Sequence, residues 1–493
     1  MRQSVKNLVG AQRVESLESP QTWAKRHFGG IEMADVRRVT RAVTIAEAMA
    51  KHPGHSIPQL FEQPYEVKAA YHLFNLEEAT PDCLQAGHRT LVRQRLSQAG
   101  TYLLLEDTSE LAWHNCASRQ GLGPLGANSD RYQGLHLHSV LAVQWTAWPL
   151  SQARQRPAVE IIGLCDQQYH IRQRRPEGEP DDASYARKKR QRESQLWEQA
   201  TQRIGPKPPD SAVNWVRVCD RGADIYEHLD ACQKHGHGFV IRSSQDRAVV
   251  ASDTGQNCGH LFATAQAAPL LGHLALELRA RPRQPARTAH LGVSATRVAL
   301  RAPQRPGCSA GRQAPIHCSV IRVWEMAAPA GVEPLEWVLL CDQEVTEFEM
   351  AHTCILQYAT RWLIEEFHKA LKTGVGVERL QLKTAHRLFA AIALLSIVAL
   401  RLLDLREHLR VAPAQPAQKC GLEALELQVL RLQSRRSIET VQDVALALGR
   451  LGGHLNRKGD GMPGWQVLWR GMLQLRTLVQ GVQLAVKLEQ KFG

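Results

Sequence analysis

The hydrophobic positions of this chain change period several times. From Glu32 to His52, Val36, Val39, Val43, Ala46 and Met49 recur at helical spacing, Arg37, Arg38 and Arg41 share another side, and Pro53-Gly54 is a stop signal. Tyr102–Leu105 and Val213–Cys219 are short apolar runs that read as buried strands, and each delivers an acidic residue at its C-terminal end, Asp107 and Asp220. A further strand is predicted over Leu135–Trp145, and a helix from Gly222 to Cys232. Between about 245 and 345 the segments LGHLALELRA, HLGVSATRVALRA, HCSVIRVWEM and LEWVLLCD alternate or run apolar over strand lengths. Tyr358–Lys372 has no Pro or Gly and is rich in helix formers, with Trp362, Leu363, Ile364, Phe367 and Leu371 as its apolar side. Leu388–Leu400 is too short to span a bilayer, is closed by Arg401, and reads as a buried helix. Ala412–Gln418, APAQPAQ, reads as a linker before a helical tail.

Composition sharpens this picture at two points. The 493 residues suggest two to four domains, and a net charge of +13 favours a polyanionic partner, of which nucleic acid is the common one. The eleven cysteines are scattered, with no CxxC pair, which fits reduced thiols in an intracellular compartment. The N-terminus lacks the apolar core of a signal peptide. GLGPLG at Gly121–Gly126 fits the letters of a dinucleotide-binding loop, but Pro124 interrupts it and a strand follows it, so a tight loop is expected. Cys308, His317 and Cys318 lack a fourth ligand at zinc-site spacing. The charge-dense stretch from about 170 to 195 reads as solvated, with a contact to flanking DNA as the alternative.

The chemistry concentrates on the Tyr358–Lys372 helix. At about 100° per residue, Tyr358, Arg361, Glu365 and Lys372 fall inside an arc of roughly 60°. One face then carries a phenol, a guanidinium, a carboxylate and an ammonium, which suits a phosphate group beside a metal ion. A solvated amphipathic face is the plain alternative, and a turn or helix-capping role is the plain alternative for Asp107.

The spacing Tyr, two, Arg, three, Glu, six, Lys resembles the signature of DDE transposases of the IS-four family. RWLIEEFHKALKTGVGVERLQL is similar to the branch that includes the Tn-five transposase. The resemblance extends to EVKAAYHLFN at Glu66–Asn75, to the Asp-Thr pair at Asp107, to CDRGADI at Cys219–Ile225 and to GRLGG in the tail. It implies a mixed α/β fold: a ribonuclease H-like core at about 76 to 410, with a β-rich insertion at about 245 to 345. A helical DNA end-binding domain at about 1 to 75 and a helical dimerisation domain at about 411 to 493 flank it.

By the same resemblance, Asp107, Asp220 and Glu365 hold two Mg2+ ions, for which Mn2+ substitutes. Tyr358, Arg361 and Lys372 hold phosphate near the transposon end. Arg242 contacts DNA, Trp337 receives a flipped base, and Arg37, Arg38 and Arg41 edge the end-binding module. The expected activity is cut-and-paste transposition through a hairpin intermediate, by a homodimer on double-stranded DNA in a bacterial cytoplasm, with no membrane. Two other readings stand beside it: a non-catalytic DNA-binding regulator, and a ribonuclease H-like metal nuclease.

Overall fold

The computed structural model describes residues 17–114, 119–125, 132–146, 159–173, 192–251, 254–278, 280, 285–303, 314–457 and 460–492. Most of the charge-dense stretch near 170 to 195, Gly126 and Cys308 lie outside these residues.

The chain is mixed α/β, with a mixed sheet between helical termini. The strands are β1 (Gly100–His114), β2 (Gly123–Pro124), β3 (Tyr132–Trp145), β4 (Glu160–His170), β5 (Val213–Cys219) and β6 (Gly238–Arg242), followed by β7 (Ala248–Val250), β8 (Asn257–His260), β9 (Leu270–Leu278), β10 (Arg287–Leu300), β11 (Ile316–Glu325) and β12 (Glu336–Cys341). The half that bears Asp107 and Asp220 runs β4-β3-β1-β5-β6, antiparallel through β3 and β4 and parallel through β5 and β6. This is the strand order of the ribonuclease H-like core expected above. The β-rich segment is not a separate sheet. It joins the same one where β12 pairs antiparallel with β6, through Leu339 opposite Arg242.

The strands are apolar on both faces because helices cover both, as parallel pairing requires. Leu103, Leu105, Val216, Val218, Val240 and Leu339 face the larger core. Tyr102 and Leu104, and further along Cys219, Phe239, Ile241 and Leu340, face the opposite side. Successive side chains alternate across a strand, so Asp107 continues the first face and Glu106 the second.

The centre of the larger core is the helix Ala385–Val411. The sequence predicts an apolar helix over Ala385–Leu403, with Leu388–Leu400 its most apolar run; the helix starts at Ala385 and runs on to Val411. By length and composition it could cross a membrane, yet 89% of its most apolar window is buried inside the protein. Arg401 does not close it. Its guanidinium is buried, donates to the Glu18 carbonyl and lies 5.2 Å over the Trp23 ring, so the charge is accommodated within the helix. The N-terminal helices Val36–Lys51, Pro64–Phe74 and Pro81–Leu96 and the last helix, Trp465–Phe492, all pack on it.

Three local expectations change. The N-terminal helix begins at Val36, capped by Asp35, whose side chain accepts from the Arg37 amide. Val36 is 75% exposed, while the expected Val39 and Val43 are half-buried against the core beside the buried Ala42, Ile45, Ala46 and Met49. Ala412–Gln418 is pinned rather than free: Pro416 bridges to Thr440, and the Ala417 amide donates to the Glu439 carbonyl at 2.7 Å.

Candidate active site

Asp107 and Asp220 come together through parallel pairing. β1 and β5 lie side by side with Leu105 opposite Val218 and Glu106 opposite Cys219. β5 ends there, while β1 continues through Asp107 to His114 against β3, so Asp107 lies mid-strand and not at the strand end expected from the sequence. Asp107 Oδ1 accepts from the Thr108 amide at 2.8 Å. Asp220 Oδ1 accepts from the Gly222 amide at 2.8 Å and caps the turn Arg221–Ala223. A capping role, weighed from the sequence for Asp107, is thus taken by Asp220.

The signature segment packs over the same face, but it is not one uniform helix. A helix over Phe348–Thr360 gives way at Arg361 to a second over Trp362–Lys369, then to a π turn over Ala370–Gly374. The joint is tightened by three-residue bonds, Arg361 N to Tyr358 O and Ile364 N to Arg361 O, both 3.0 Å. The π turn is closed by Val375 N donating to Ala370 O at 3.0 Å. Such a turn rotates less per residue than an α-helix, so Lys372 departs from the angle that a regular helix predicts. A Cβ at Gly374 would meet Leu402 Cδ1 at 2.8 Å and the Trp465 ring at 3.0 Å, so a bare backbone allows the turn to seat against them.

Leu363, Ile364, Phe367 and Leu371 are buried as expected, while Trp362 is half-buried with the Arg406 guanidinium 4.7 Å from its ring centroid. Packing also separates the two adjacent glutamates. Glu366 accepts from Trp465 Nε1 at 2.9 Å and from Arg406 at 3.2 Å, which ties it to the core and the C-terminal helix. Glu365 stays 55% exposed on the Asp107 side.

Arg361 links the acidic groups. Its guanidinium is 3.5 Å from Asp107 Oδ2 and pairs with Glu365 Oε1. Burial, then the neighbouring Asp220 carboxylate, push the Asp107 carboxyl up to about 6, and Glu365 adds to this; the Thr108 amide and Arg361 oppose it. Crowded hard oxygens that resist carrying all their charge suit a divalent cation. Among the described residues, however, Asp107, Asp220 and Glu365 do not bring one oxygen each within 4.8 Å of the others. Arg361 serves as the counter-ion between two of them.

The crowding has a measurable consequence. The folded chain holds the Asp107 proton more tightly than an unfolded Asp of pKa 3.8 does. This contribution to stability is present below about pH 4 and is lost as pH rises through about 6. In EDTA at about pH 7, Asp107→Asn is expected to stabilise the chain by about 1–3 kcal/mol and to flatten the profile between those values. Urea unfolding reads this directly, and a variant no more stable than the parent at neutral pH would contradict the crowding.

The other expected residues distribute as follows. Tyr358 is half-buried at the end of its helix and contributes electrostatically to Arg361. Lys372 is half-buried in the π turn. Arg242 ends β6, and Trp337 lies on β12 on the same face two residues from Leu339, the strand partner of Arg242. Trp337 Nε1 is buried with no hydrogen-bond partner. Arg37 lies far along the chain, on the N-terminal module; it pairs with Asp35 at 2.7 Å, and Arg38 pairs with Glu78. Arg41 is half-buried, with no ion pair among the described residues.

Sequence reasoning passed over the buried charges behind the site. Glu106 is fully buried, pairs with Arg217, and accepts from His138 Nε2 at 2.7 Å. His138 Nδ1 is 2.7 Å from Thr108 Oγ1. The available signal was a charged residue inside each of two apolar strands, on the face opposite the aspartates.

The N-terminal module adds an independent finding. Residues 20–79 match the family described as transposase DNA-binding, a segment that takes in the helix bearing Arg37, Arg38 and Arg41. The match supports a transposase with double-stranded DNA as its partner.

Proposed function

We propose that the chain is a cut-and-paste DNA transposase of the DDE class, resembling the IS-four family. It binds the terminal inverted repeats of an insertion sequence, cleaves beside them through a hairpin intermediate, and joins the ends to target DNA. The observation that carries this reading is Arg361, in contact with Asp107 and paired with Glu365, beside a second aspartate in a chain with a transposase-type DNA-binding module.

Asp107, Asp220 and Glu365 would hold two Mg2+ ions, or Mn2+ in their place. Bound there, the ions would activate the attacking water or 3′ hydroxyl and stabilise the departing oxygen. Arg361, Tyr358 and Lys372 hold the phosphate, Arg361 by exchanging a carboxylate partner for phosphate oxygens. Positioning and charge neutralisation are the main contributions a protein can make to this reaction. Trp337 offers an aromatic face to a base displaced beside the cut, and Arg242 a cation on the same side of the sheet. The last helix exposes Val482, Leu484, Val486 and Leu488, an apolar stretch suited to pairing two copies in the synaptic complex.

The decisive experiment is release of an element from flanked duplex DNA in Mg2+. Release with end joining supports the proposal. End binding without release in any divalent ion identifies a regulator, and preferential cutting of an RNA–DNA hybrid identifies a ribonuclease H-like nuclease.

The N-terminal arginines are expected to act on phosphates. Arg37→Ala and Arg41→Ala should weaken end binding similarly on all sequences and lower the salt slope by about one unit per lost contact. Binding isotherms over a salt series measure this. An unchanged slope in both variants removes these arginines from the interface.

A further inference from the structure

Behind the acidic face, on the other side of β1 and β5, lies a second group of ligating atoms. One atom each from Glu106, Cys219 and His228 falls within 4.8 Å of the others, and all three residues are buried. Cys219 Sγ is 3.6 Å from Glu106 Oε2 and 3.9 Å from His228 Nε2. Cys232 Sγ is 3.8 Å from the same His228 Nε2 but lies outside the 4.8 Å group, so it completes the set only by closing in on the ion. Metal–sulfur bonds near 2.3 Å and metal–nitrogen bonds near 2.0 Å, arranged tetrahedrally, place neighbouring ligand atoms about 3.5–3.8 Å apart.

We propose that Glu106, Cys219, His228 and Cys232 bind a buried thiophilic divalent cation, with Zn2+ the ion their chemistry suits. Neither the acidic site nor the proposed transposition needs it.

Two further observations point the same way. The first is the histidine tautomer. Thr201 Oγ1 donates its proton to the Trp197 carbonyl at 3.2 Å and faces His228 Nδ1 at 3.5 Å. With its proton on Nδ1, toward this hydroxyl and the Trp197 carbonyl, His228 keeps its Nε2 lone pair for the two sulfurs. This is how outer partners set a metal-binding histidine.

The second is Arg217. It is fully buried and pairs with Glu106, yet its Nε and Nη1 have no partner among the described residues. It lies close enough to both Cys219 and Cys232 to act on them electrostatically. Two thiolates and one carboxylate balance one divalent ion and one guanidinium, so the filled site is neutral. Metal entry releases the two thiol protons to solvent.

The bound ion would join β1 and β5 to the helix Tyr226–Lys234, behind Asp107 and Asp220.

Cobalt is the probe. The full-length reduced chain, stripped with chelator, is titrated with Co2+ and then with Zn2+. The expected result is a thiolate-to-cobalt band in the near ultraviolet, saturating at about one ion per chain and abolished by Zn2+. Cys219→Ser and Cys232→Ser should each remove or shift the band. Cys258→Ser, at an exposed thiol, should leave it. Asp107→Asn should also leave it, because carboxylates give no such band. Absence of the band in the parent chain overturns the proposal without reference to any variant, and so does a band unchanged in both Cys219→Ser and Cys232→Ser.

Discussion

Asp107→Ala, Asp220→Ala and Glu365→Ala should each abolish strand cleavage, by about a thousandfold or more, while leaving binding to the element end intact. The split follows from where the residues sit. Asp107 and Glu365 meet Arg361 at the sheet, with Asp220 beside Asp107, whereas the DNA-binding match covers residues 20–79. In the proposed two-ion site, losing one hard oxygen donor would remove several kcal/mol of charge stabilisation in the transition state. Glu366 cannot substitute for Glu365, because it is held by Trp465 and Arg406 on the packed side. Gel-based cleavage of end duplex beside a binding isotherm on the same DNA measures both quantities. Cleavage within tenfold of the parent in any of the three variants would remove that residue from the site.

The largest stability effect is expected on the opposite face. Arg217→Met leaves the fully buried Glu106 without its guanidinium and should cost about 3–5 kcal/mol, a large part of the stability of an ordinary domain. Arg217, with the hydrogen bond from His138 adding to it, holds the Glu106 carboxyl down at about 2 against the cost of burial. A lowered carboxylate stabilises the fold above its unfolded value, so this contribution is present above about pH 4.5 and is lost as pH falls toward 2. The double variant Glu106→Gln with Arg217→Met should recover much of the loss, since a neutral pair leaves no buried charge behind. Chemical unfolding of the parent, both single variants and the double variant tests this. A shift below about 0.5 kcal/mol for Arg217→Met would show that the pair is solvated in solution.

How much could be read from the residues depends on the range of the forces involved. β1 and β5 announced themselves because an apolar run followed by an acidic residue is a local pattern, but only β5 ends before its aspartate; β1 runs on through Asp107 to His114, held in the sheet by its pairing with β3. The signature residues also followed from spacing, because a helix carries its period with it. The break at Arg361 and the π turn at Ala370–Gly374 did not follow, because Leu402 and Trp465, far away in sequence, press against Gly374. Val36 fits an apolar period as well as Ala42 does, and only packing against the neighbouring helices shows which one is covered.

The residues alone determined the alternation of strands and helices, the acidic residues after two apolar runs, the four groups spaced along the signature segment and the basic balance of the chain. Each depends on composition or on a period shorter than one element. Tertiary structure decided which side chains share a face: Asp107 with Arg361 and Glu365 on one side of the sheet, Glu106 with Arg217 and Cys219 on the other. That choice rests on the parallel register of β1 with β5, which joins segments about a hundred residues apart. A one-residue slip would exchange the two faces, and nothing local in either strand specifies it.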